Sequence, residues 1–95
     1  MKDQLHHYTI KTLIYMDDKS IPLPFLKEKT VAKITAIDGG MNVQKRLHAL
    51  GIHTGKTILI KTRQPFRGPI TIEVCGTQMT IGRGMAHKIQ VEVIE

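Results

Sequence analysis

The side chains that could carry chemistry in this chain are few. His48, His53, Cys75 and His87 are groups that bind transition metals, and Glu73 is a general-acid or general-base candidate. The three histidines and the cysteine match no known metal-ligand frame, and a single cysteine on a strand is more often a small packing residue. His6 and His7 are neighbours near the terminus and point apart on regular structure, so they read as solvated. No serine sits in a glycine-flanked elbow, and no two carboxylates share an apolar setting. Glu73 is the only acid between Gly39 and Val91. The inventory points away from an enzyme, and neither a catalytic residue nor a cofactor or metal site is assigned.

The same stretch is basic. Lys45, Arg46, Lys56, Lys61, Arg63, Arg67, Arg83 and Lys88 face the single Glu73, and the formal net charge of the chain is +6. So one-sided a body favours an acidic partner, although basic side chains on alternating strands are also ordinary solvated surface. With 95 residues, 41% of them hydrophobic, there is room for one small domain with one core. No tryptophan, two tyrosines and two phenylalanines leave that core to Ile, Val, Leu and Met. One cysteine excludes an internal disulfide and suits a reducing compartment such as the cytoplasm. The first residues, MKDQLHHYTI, lack the apolar run of a signal peptide, and no stretch approaches the roughly 20 apolar residues of a membrane span.

These residues must be held by short elements. Residues 1–20 form an extension whose YTIKTLIYM segment reads as a strand or an irregular arm, and the domain proper runs from 21 to 95. IPLPFL has two prolines around Leu23, which favours an extended segment from which Leu26 docks on the core. VAKITAI (31–37) alternates Ala32, Ile34 and Ala36 against Val31, Lys33, Thr35 and Ile37, and Asp38-Gly39-Gly40 ends it. Asn42 is the expected N-cap of a helix in which Val43, Leu47 and Leu50 repeat at helical spacing, and Gly51 with Ile52 forms a Schellman-type stop. TILIKTR (57–63), ITIEVCG (70–76), with Ile70, Ile72 and Val74 facing opposite to Thr71, Glu73 and Cys75, and QMTIG (78–82) alternate as strands. The first two are joined by a loop stiffened by Pro65 and Pro69, and the last two by a hairpin turn at Gly76-Thr77. GRGMAHK (82–88) contains no Walker lysine-serine pair and reads as a helical turn rather than a phosphate cradle. KIQVEVIE closes the sheet, with Ile89, Val91 and Val93 on one face. The sum is a mainly β fold: five short strands closing a small barrel, one short helix over one end and a helical turn before the last strand.

The order of these pieces resembles the ferrous-iron transport protein A (FeoA) family. It is carried by LPFL (23–26), VAKITAI (31–37), RLHALGI (46–52), TGKTILI (54–60), PFRGPITIEVCG (65–76) and MTIGRGMAHKIQV (79–91), about three quarters of the chain. Most telling are the spacing of Arg46, Leu47, Leu50, Gly51 and Gly55 and the P-x-x-G-P loop of Pro65, Gly68 and Pro69. The sequence departs from the family pattern at Lys29, where a glycine usually precedes the first strand, at His48-Ala49-Leu50 and at Gly82-Arg83-Gly84.

The resemblance implies an SH3-like barrel in the cytosol, working as a non-catalytic partner or regulator of FeoB, a membrane ferrous-iron transporter with a cytoplasmic G domain. A related barrel is the C-terminal domain of iron- and manganese-responsive repressors of the diphtheria-toxin-repressor type. Two surfaces are then the candidates for partner binding: Arg46, His48 and Ala49 on the helix, and Phe66, Arg67 and Gly68 in the loop. Phe66 is read either as a barrel lid or as a partner anchor. An exposed edge strand would also allow a weak homo-oligomer. Two other functions remain open. A small basic barrel could bind nucleic acid, which the scarcity of stacking aromatics disfavours, and a stand-alone metal-responsive domain would rest on the histidines and Cys75, with at most weak transition-metal binding.

Overall fold

The computed structural model describes residues 19–64 and 68–94, so the extension expected over 1–20 lies outside the described residues except for Lys19 and Ser20. Six strands form one antiparallel sheet: β1 (Ile21–Pro22), β2 (Val31–Ile37), β3 (Thr57–Arg63), β4 (Ile70–Val74), β5 (Thr77–Ile81) and β6 (Ile89–Val93). Their order across the sheet is β1-β6-β2-β3-β4-β5. Two helices interrupt them, α1 (Met41–Ala49) between β2 and β3 and α2 (Arg83–Ala86) between β5 and β6. The five expected strands are all present, and the two-residue β1 adds a sixth. The ladder stays open between β1 and β5, where a closed barrel was expected. IPLPFL is not simply extended: after β1 it makes a 3-10 turn over Leu23–Phe25 that buries Leu23, Pro24 and, just beyond, Leu26, and α2 packs against that turn.

The alternating strands put their β-branched residues inward as period two requires: Ile58 and Ile60, Ile70, Ile72 and Val74, and Ile89 and Val91 are all buried. Among the described residues no polar side chain is buried.

Where alternation fails, the register shows why. A shift between Ile34 and Ala36 leaves Thr35 as the extra residue opposite β6, so that Ala36 pairs with Gln90 and Ile37 with Ile89. The bulge moves Ile37 to the core side and Ala36 outward, reversing the expected faces of that strand end. A second shift makes Lys61 the extra residue of β3 and sets Arg63 opposite Ile70. Val93, expected inside, is 42% exposed at the end of its ladder.

The β4–β5 turn consists of Cys75 and Gly76, with Val74 paired to Thr77, one residue earlier than expected. Both turn residues have positive φ, 53° and 78°, the backbone of a type I′ hairpin. Cys75 is therefore an exposed turn residue and not a packing residue on a strand.

Candidate functional site

The helix α1 begins two residues earlier than its sequence suggests. Gly40 is the N-cap and makes no side-chain cap, while Asn42 lies inside the first turn. Gln44 anchors the helix instead, donating from Nε2 to the Ile37 carbonyl at 2.9 Å. Gly39, at φ 117°, turns the chain from β2 into the helix, and a Cβ there would stand 3.1 Å from that of Val43.

The C-terminal stop is the expected one. The Ile52 N–H donates to the Leu47 carbonyl at 2.9 Å and the Gly51 N–H to the His48 carbonyl at 2.9 Å, with Gly51 at φ 87°. This is the Schellman pair of bonds, and its apolar contact sets buried Ile52 beside buried Leu47. It also decides the fate of Leu50. Grouped with Val43 and Leu47 by helical spacing, Leu50 instead sits at the C-cap and is 51% exposed, because the left-handed turn at Gly51 brings Ile52 into the core in its place. The inward stripe of α1 is only Leu47, with Val43 packed half-buried beside it.

What α1 leaves outside is a surface of mixed character. Arg46, His48 and Ala49 are exposed as expected, and so are Lys45, Leu50 and Met41, the last at 72%. His48 stacks on His53 from the following loop, ring centroids 4.6 Å apart and planes 24° from parallel. A shallow depression of about 340 Å³ lies there, with Ile37 and Met41 as its apolar part and Gln44, Lys45, His48, His53 and Thr54 as its polar part. Among the described residues no carboxylate lines it, and none occurs in the sequence from Gly39 to Ile72. An apolar patch bordered by Lys45 and two imidazoles is suited to a partner that presents an aliphatic side chain beside an acid.

Of the second candidate surface, Gly68 is half-buried, and Phe66 and Arg67 lie outside the described residues. The four metal-binding candidates divide: His48 and His53 meet, Cys75 is at the hairpin tip, and His87 packs edge-on against Phe25 at 5.8 Å. Among the described residues no group of three or more His, Cys, Asp or Glu is placed to hold an ion. Phe25, 62% exposed, joins Arg83, Gly84 and His87 around a second depression. Sequence reasoning missed Met41, Leu50 and Phe25 as surface residues. For Phe25 the signal was available in its position between Pro24 and Leu26, because a tight turn that buries both neighbours must send the middle side chain out.

The β architecture and the α1 surface can now be set beside known proteins. In sequence, the chain is 38% identical over 74 residues to "Putative Fe(2+) transport protein A" of Methanocaldococcus jannaschii, spanning 78% of this chain and 88% of the relative. In structure, it superposes on a FeoA-like protein from Clostridium acetobutylicum with a TM-score of 0.74 and 27% identity, over 82% of this chain and 91% of the other. It also superposes on part of a manganese-dependent transcriptional repressor with a TM-score of 0.75, over 81% of this chain and 38% of the repressor; at 16% identity that likeness is one of fold. The model of the FeoA domain matches residues 21–93, from β1 to the last residue of β6, and the chain belongs to the FeoA family.

Proposed function

We propose that this chain is a non-catalytic partner of a membrane ferrous-iron transporter of the FeoB kind, acting in the cytoplasm through contacts of the α1 surface with the transporter's cytoplasmic G domain. The observation that carries this reading is the exposure of Met41 at the start and of Leu50 at the C-cap of a nine-residue helix whose own charged residues are all basic. Folding uses one face of that helix and leaves two large apolar side chains in water, an arrangement with an energetic reason when another surface covers them. Membership of the FeoA family, with an Fe(2+) transport protein A among its relatives, supplies the setting. Among the described residues no helix is long and apolar enough to cross a membrane, which fits a protein that docks on a transporter. The loop residues Phe66, Arg67 and Gly68 are proposed as the second contact.

The test is a titration of the full chain against the transporter's cytoplasmic domain, nucleotide-free and with GDP or a GTP analogue. Arg46→Glu should weaken binding at least ~10-fold through charge reversal, and Leu50→Ala should weaken it while leaving the melting temperature nearly unchanged. Phe66→Ala tests the loop. If the wild-type chain binds in none of the three nucleotide states, the proposal fails.

A further inference from the structure

The two ends of the sheet are not alike. At one end β1 is two residues long and includes Pro22, which has no N–H to offer. At the other end β5 is five residues long, TQMTI, with no charge, no proline and no lysine to discourage pairing. Its hydrogen-bonding pattern follows from the hairpin. A two-residue turn makes Val74 and Thr77 a hydrogen-bonded pair, so Met79 and Ile81 also bond to β4, and the N–H and C=O groups of Gln78 and Thr80 point away from the sheet. Thr77, Gln78 and Thr80 are exposed, and among the described residues no backbone bond outside the sheet reaches Gln78 or Thr80.

We propose that β5 pairs antiparallel with β5 of a second copy of this chain, about a two-fold axis at Met79. Each outward group then finds its complement. The Gln78 N–H donates to the Thr80 carbonyl of the other copy and the Thr80 N–H to its Gln78 carbonyl, and symmetry doubles both bonds. Met79 lies on the axis in a non-hydrogen-bonded pair, where side chains approach most closely, and it already packs half-buried on the core. Its thioether would meet its own copy and extend that core across the axis. Gln78 lies beside Thr80 on the outer face, where Thr80 Oγ1 is 2.9 Å from Thr71 Oγ1. The absence of charge selects a second copy as occupant. Two-fold pairing sets like residues near like, so any charge on β5 would repel itself, and this strand has none.

The experiment uses the full chain. Sedimentation velocity from about 10 μM to about 1 mM should show the mass rising from monomer toward dimer, since a four-bond edge contact is small and weak. Thr80→Pro deletes one outward donor and no bond of the β4–β5 ladder, so it should raise the dimer Kd at least ~10-fold while the chain still melts cooperatively. Register is read by oxidation in a Cys75→Ser background. Met79→Cys should cross-link rapidly because Cα atoms of such a pair lie about 4.5 Å apart, within disulfide reach, whereas Gln78→Cys, diagonal to its copy at roughly 7–8 Å, should not. A wild-type chain that stays monomeric throughout overturns the proposal. So does a dimer unaffected by Thr80→Pro, or cross-linking at Gln78→Cys in preference to Met79→Cys.

Discussion

Lys29 should be replaceable by glycine with a gain in stability. It lies in the turn that leads into β2, where the Thr30 N–H reaches the Lys27 carbonyl at 3.3 Å, and its own N–H donates to the Ile60 carbonyl at 2.7 Å. Its φ is 70°, one of two positive values among the described non-glycine residues. The left-handed region costs an L-residue with a long side chain about 1–2 kcal/mol, and glycine nothing. Against this, glycine gives the unfolded chain more freedom, which costs about 0.4–1 kcal/mol. The difference leaves roughly 0.8 kcal/mol in favour of Lys29→Gly. At ~4–8 °C per kcal/mol for a domain of this size, the melting temperature should rise by about 3–6 °C. The Lys29 side chain is exposed and the backbone bond to Ile60 survives the change, so nothing else need be lost. Lys29→Ala is the control, since it removes the charge and keeps the strain. Thermal melts followed by circular dichroism decide the matter: a Lys29→Gly melting temperature no higher than that of Lys29→Ala would refute the reasoning. At this position a lysine holds the backbone conformation that glycine favours.

Three further changes test the packing and the turns, each by the same melts backed by urea unfolding. Leu47→Ala should cost about 2–5 kcal/mol, because Leu47 is 1% exposed at the centre of the α1 contact, whereas Leu50→Ala should cost under about 1 kcal/mol. Gly39→Ala should cost at least ~2 kcal/mol, since φ 117° strains any side chain and the new Cβ would also press on Val43 at 3.1 Å. Cys75→Asn should stabilise by about 0.5 kcal/mol, because it places Asn-Gly in a type I′ turn, the pair that this backbone prefers.

The sheet was legible because five of its strands alternate over at least five residues with Ile or Val on the inner face, and burial then follows from the pleat. The C-terminal stop of α1 was legible for a similar reason: Gly51 followed by Ile52 specifies both the left-handed turn and the apolar residue that closes it. Two kinds of feature were not. The bulges at Thr35 and Lys61 reverse the facing of residues after them, and nothing in VAKITAI or TILIKTR marks where the extra residue falls, because it is set by the partner strand. The start of α1 was misplaced because Asn42 is a good cap by propensity, but the Gly39-Gly40 turn had already begun the helix and Gln44 bonds back to Ile37. For the candidate site, Arg46, His48 and Ala49 were correctly placed outside. Met41 and Leu50 were missed because helical spacing alone assigns Leu50 inward, and only the Schellman geometry turns it out.

That geometry separates two duties within one short helix. If Leu50 had filled the core with Leu47, every substitution on the last turn of α1 would disturb folding and binding together, and loss of a partner could never be distinguished from loss of structure. Ile52, carried in by the turn after the helix, takes the inner place, so that Arg46, His48, Ala49 and Leu50 are free of core packing while the backbone beneath them is fixed by two hydrogen bonds. A surface built this way is preorganised: any contact made there would cost little further backbone entropy, and its outward residues can vary without threatening the fold. Change is cheap there, because the fold does not rest on those side chains.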